Sequence, residues 1–209
     1  EYELLLDLHF VLLPEVVAFV EQLPKRIRSI RTETQSVSRV RRGTVDGKIN
    51  WGETIKHRYS QNPRDSSLFV CDNRTLDYDT GENLVLKRVL AVVHSTLREA
   101  DTYLQQNYDW VESRWNEQLV DQLKRIFERN VHVRRIREPK AYEPTDRMVT
   151  EAANSRQALY RDAASILQTH QRLHDGHPEA IRRLLDKTAI TPDDEDTLFE
   201  LFVLFRFVA

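Results

Sequence analysis

Three sets of residues in this 209-residue chain are of types that could do chemistry. The largest is cationic. Between Pro24 and Arg64 stand eleven Lys or Arg residues against only Glu33, Asp46 and Glu53, a net charge of +8 in a chain whose formal total is −2. Such a segment points to a polyanion, because clustered guanidinium and ammonium groups neutralise phosphates and release their counterions. Arg39, Arg41, Arg42, Lys48, Lys56 and Arg58 are the candidate phosphate contacts. Trp51 stands among them and could stack on an unpaired base. Its size favours the plainer reading of an anchor packed onto the helices.

The second set is His170, His174 and His177 with Asp175. Four residues apart on a helix, His170 and His174 share a face, as helical zinc pairs do. Gln171 follows His170, so no H-E-x-x-H motif forms, and histidines near a helix C-terminus are favoured by the dipole alone. No metal ligand is assigned on this pattern. The third set is Asp79 and Glu82. Three apart at the start of a helical pattern, they read as a capping box rather than as a catalytic carboxylate pair, with Asp79 or Thr80 as the cap. Gly-rich phosphate loops, G-x-S-x-G elbows and Cys/His nucleophile pairs are absent, so no catalytic residue is assigned.

The elements that must position these residues follow from periodicity. Val16, Val17, Phe19, Val20 and Leu23 give a helix from Pro14, continued by Ile27 and Ile30, with a break or kink at Pro24. The polar run Arg31 to Ser38 reads as a helix end or an exposed helix. Val40 to Trp51, with Asp46-Gly47, suggests a short hairpin or a strand entering a loop. Leu68 to Cys71 suggests a strand. From Glu82, apolar residues at Leu86, Val89, Leu90, Val93, Leu97, Ala100 and Leu104 predict a long helix. A second runs over about 109–129, after a break at Asn107. A basic connector follows from Val131 to Tyr142. A third long helix is expected over 146–173, a short one over 178–187, and a last one from Pro192. The fold class expected is mainly α, a helical bundle or hairpin with a small β insertion near residues 37–75. The division expected is 1–75, 76–191 and 192–209.

Composition narrows the function classes. Apolar residues make up 40% of the chain, charged residues 31%, and Gly only 5 of 209, which argues for a packed globular chain. No apolar stretch reaches the roughly 20 residues of a membrane span. The single Cys71 excludes an intrachain disulfide and a Cys-rich zinc site, and suits a reducing, cytoplasmic compartment. The chain opens at Glu1 without an initiator Met and stops at Ala209 inside an apolar pattern, so a piece of a longer protein is expected.

Two motifs resemble a known family. Gly47-Lys48-Ile49-Asn50-Trp51 with Thr54-Ile55, and Tyr78-Asp79-Thr80 with Glu82-Asn83-Leu84-Val85-Leu86-Lys87, resemble a region of prokaryotic restriction-endonuclease-like proteins, the relatives of the McrC subunit and of LlaJI-type enzymes. Two positions depart: Gly81 stands where that family usually has Pro, and Leu84 where it usually has Arg. The resemblance implies a helical scaffold followed by a Mg²⁺-dependent nuclease of the PD-(D/E)XK class, whose Asp and E-x-K would lie beyond Ala209. Residues 198–204 look like the first helix of that nuclease, where Glu200 could assist metal binding. DNA is the implied partner, with a motor or other subunit of a restriction system beside it. A protein–protein scaffold without DNA contact is the alternative.

Overall fold

Apolar residues three and four apart bury one stripe of most of the helices, and those stripes meet in one hydrophobic core to which the helix over Trp51–Gln61 does not contribute. The computed structural model describes residues 2–107 and 117–188. The helices are α1 (Tyr2–Val11), α2 (Pro14–Arg26), α3 (Trp51–Gln61), α4 (Gly81–Asn107), α5 (Glu117–Arg129), α6 (Val131–Arg135), α7 (Asp146–Ala153), α8 (Ala158–His174) and α9 (Pro178–Thr188). Three strands, β1 (Glu33–Arg42), β2 (Lys48–Ile49) and β3 (Leu68–Asp77), form a small antiparallel sheet. The mainly α expectation with a small β insertion therefore holds.

Helix α4 is the centre of the helical body and packs against α1, α5, α7 and α8. Val85, Leu86, Val89, Leu90 and Val93 are its buried stripe, and each such side chain contributes about 1.5–3 kcal/mol on leaving water. Side chains of α1 and α2, before residue 75, share this core with those of α4 to α9, after it. The region 192–209, including Glu200, lies outside the described residues.

Four local expectations are corrected. Arg31 to Ser38 does not extend a helix: α2 ends at Arg26, tightens into a 3₁₀ turn over Ile27–Ser29, and the chain enters β1 at Glu33. Pro24 sits inside α2 rather than breaking it there. The proline removes the N–H that would bond the Val20 carbonyl, and the Gln122 side chain on α5 supplies the missing donor, Nε2 to O at 3.0 Å. Neither do the two sides of Asp46-Gly47 pair as a hairpin; β3 lies between β1 and β2, in the order β1-β3-β2. Last, the third long helix is two, α7 and α8. Asn154 and Ser155 both turn their N–H groups back onto the Ala152 carbonyl, and Arg161 then binds the Ser155 and Arg156 carbonyls.

Candidate nucleic-acid interface

The basic segment is built on the β-ribbon and α3. Strand β1 pairs with β3 over ten residues, from Glu33 opposite Asp77 to Arg42 opposite Leu68. Opposed residues share a face. Arg39 and Arg41 therefore lie with Cys71 and Phe69, while Val40 and Arg42 lie with Val70 and Leu68, joined there by Lys48 opposite Asp72.

The G-K-I-N-W motif makes the turn into α3. Gly47 has φ +96°, and a Cβ there would stand 1.7 Å from Asn73 Oδ1 and 2.7 Å from the Asp72 carbonyl, so only glycine fits. Asn50 caps α3 by accepting from the Glu53 N–H at 3.1 Å, and its Nδ2 donates to Asp72. Once β2 ends, Thr54 takes over the open edge of β3. Its hydroxyl accepts from the Val70 N–H at 2.9 Å, and it is fully buried.

These contacts turn Trp51 outward. It is not the packed anchor its size suggested: the indole is 57% exposed and meets Phe69 edge-on, centroids 6.4 Å apart. Ile55 is 51% exposed and Tyr59 75%, so α3 carries an apolar stripe at four-residue spacing that stays more than half open to solvent. Val40 and Val45 are exposed nearby in sequence.

The cations divide into three groups. Arg39 and Lys48 are exposed and form no ion pair among the described residues. Arg41 lies 3.7 Å from Asp46, Arg42 lies 3.7 Å from Asp65, and Lys56 pairs with Glu53 within one turn of α3. Such exposed pairs are weak and screened by salt, so they leave the cations open to competition. The Arg41 Nε is shielded from water with no hydrogen-bond partner. Arg58 differs. Its guanidinium donates to the Leu68 and Ser66 carbonyls at 2.8 and 2.7 Å and lies over the Phe69 ring, so it closes the sheet edge.

The second motif is an internal polar hub. Thr80 caps α4, accepting from the Asn83 N–H at 3.3 Å. Asp79 instead accepts from the Arg137 N–H and Nε, and Glu82 pairs with Arg31 at 2.9 Å rather than reaching back as a capping box. Asn83 is fully buried; its Nδ2 donates to the Arg31 and Tyr78 carbonyls, and its Oδ1 accepts from the Tyr160 hydroxyl at 2.7 Å. Lys87 is 2% exposed, donates to the Val133 carbonyl at 3.1 Å and lies over the Phe127 ring. Burial holds its ammonium below the ordinary lysine range.

Of the histidine cluster, the structure brings His170 and His174 together, their ring centroids 4.2 Å apart. Both turn Nε2 toward Asp7 Oδ1 on α1, at 3.8 and 3.0 Å. His177 is not in the group, and Asp7 had no signal in the sequence because it lies more than 160 residues away. Burial, then the neighbouring His174 and Arg88, pushes the His170 imidazole down to about 4, leaving it neutral at pH 7. No protein-family model, no curated protein and no solved structure matches this chain.

Proposed function

We propose that this chain is a non-catalytic helical scaffold that contacts DNA through β1, β2, α3 and β3. In this reading it belongs to a restriction-endonuclease-like defence protein, where it positions a downstream Mg²⁺-dependent nuclease and meets a motor or other subunit. The observation that carries the DNA contact is the exposed Trp51, Ile55 and Tyr59 stripe on a segment that also presents the unpaired cations Arg39 and Lys48. Cations neutralise the backbone, and aromatic faces stack on bases that leave the duplex. Arg41, Arg42 and Lys56 add to the positive field through exchange of their weak partners, whereas Arg58 serves the sheet edge.

The test is fluorescence anisotropy with duplex and single-stranded oligonucleotides over a salt series. Arg39→Glu with Lys48→Glu should weaken binding about tenfold or more across all sequences. For every duplex phosphate that the variant no longer neutralises, the log–log salt slope should flatten by about 0.9. Trp51→Ala with Tyr59→Ala should affect the single strand more than the duplex. Affinity that is equal for the charge-reversed and natural chains overturns the reading.

One observation favours a protein partner as the second reading. Strand β1 is an edge of the sheet over ten residues and is exposed along nearly all of its length, a geometry that accepts an added strand. Salt-insensitive binding of a protein subunit, abolished by Trp51→Ala and kept with Arg39→Glu, would decide for it.

A further inference from the structure

The cluster of Asp7, His170 and His174 joins two helices far apart in sequence, and its chemistry is that of a metal-binding donor set. We propose that Asp7 Oδ1 with the Nε2 atoms of His170 and His174 forms a site for one divalent transition-metal ion, Zn²⁺ by donor type, that clamps α1 to α8.

Geometry carries the assignment. A four-coordinate Zn²⁺ holds His nitrogen and carboxylate oxygen at about 2.0–2.2 Å, which places ligand atoms roughly 3.3–3.5 Å from one another. Around Asp7 Oδ1 the two imidazole nitrogens stand at 3.0 and 3.8 Å, on either side of that spacing, and all three donor atoms lie within 4.8 Å. Rotation of the two imidazoles about their side-chain torsions brings the three donor atoms, already within 4.8 Å of one another, to that spacing. Two imidazoles at positions i and i+4 of α8 present their nitrogens from one helix face, and the carboxylate comes from the opposing helix. The ring of Phe10 packs edge-on against His170, centroids 5.0 Å apart, and fixes that imidazole. Two nitrogens and one carboxylate oxygen are a borderline donor set, which suits Zn²⁺ over Mg²⁺ or Ca²⁺. Three protein ligands leave a fourth position to water.

Alternatively, the three side chains form only a hydrogen bond, His174 to Asp7 at 3.0 Å. The two arrangements differ in what they do with metal. The whole chain, free of any histidine tag and stripped with a chelator, is titrated with Co²⁺ and then with Zn²⁺ against a chromophoric chelator. One equivalent per chain, the intense visible bands of four-coordinate Co²⁺, and a rise in melting temperature on adding Zn²⁺ are expected. His174→Gln and Asp7→Asn should each weaken Zn²⁺ at least tenfold and abolish that rise, while His177→Gln changes neither. His174 is exposed, so His174→Gln keeps the fold, which circular dichroism of the metal-free variant verifies. Failure to take up one equivalent, or uptake unchanged by His174→Gln, overturns the site. Neither outcome bears on DNA binding, which is read from Arg39 and Lys48.

Discussion

Asn83 concentrates more of the structure in one side chain than any length of helix around it. Its amide joins the end of α4 to the Arg31 carbonyl that precedes β1, to the Tyr78 carbonyl after β3, and to Tyr160 of α8; the Tyr160 hydroxyl in turn accepts from the Arg31 N–H. Removing it takes the donor from the buried Tyr78 carbonyl and the part-buried Arg31 carbonyl and the acceptor from the Tyr160 hydroxyl, and an unsatisfied buried group costs about 1–3 kcal/mol. Asn83→Ala is expected to lower stability by about 3 kcal/mol in urea unfolding. Asn83→Asp should be no better, since it sets a carboxylate against two carbonyl oxygens. Tyr160→Phe, which removes only the hydroxyl, should cost less than either. Neighbouring Asp79 and Glu82 explain why carboxylates at a helix start need not be caps: cations from distant segments, Arg137 and Arg31, compete for them.

At the scale of elements, a proline and a glutamine on different helices replace one backbone hydrogen bond. Gln122→Leu leaves the Val20 carbonyl without a donor and should cost about 1–2 kcal/mol. Pro24→Ala restores the N–H four residues on, so the same Gln122→Leu change in that background should lose at least half of its effect. A double-mutant cycle by chemical denaturation measures this coupling, and additive values would show that Gln122 does not serve the proline. The ribbon was the least legible element. The sequence of β1, Glu33 to Arg42, has no apolar alternation because neither face of the strand is covered, so its polar composition resembles a helix end. Only its partner reveals it: ten backbone pairs with β3 make Glu33 to Arg42 extended. The split between α7 and α8 was equally hidden, since Asn154 and Ser155 interrupt a helix without a glycine or proline between them.

For the whole molecule, the response to acid follows from buried imidazoles. His94 stacks on Phe127, centroids 4.9 Å apart, and burial holds its pKa below the ordinary 6.5. The unfolded chain therefore binds the proton first as pH falls through 6.5. Stability is full above that value and declines through the window below it. The slope of unfolding free energy against pH between about 7 and 5 should shrink in His94→Phe, which keeps a ring against Phe127 and cannot titrate. A slope equal to that of the natural chain would mean that His94 is solvated when folded. The distribution of charge is also a property of the whole. A segment of +8 within a chain of −2 is partly neutralised in space, by Asp162 on Arg26 and Glu82 on Arg31, while on the ribbon and α3 the cations Arg39, Arg41, Arg42, Lys48 and Lys56 stay weakly paired or unpaired.

The amino-acid order alone determined the mainly α class, the long helix expected from Glu82 and the short one from Pro178, because each depends on periodicity within one segment or on proline at a helix start; it marked a small β insertion but missed that the first strand begins at Glu33. It also marked His170 and His174 as neighbours and Arg39 and Lys48 as cations. Tertiary structure decided that Trp51 faces water, that Arg58 belongs to the sheet edge and that Asp7 meets the two histidines. These are outcomes of which surfaces pack together. Local spacing sets the direction of a side chain on its own element, but what stands opposite it is decided by the burial of distant apolar stripes against α4.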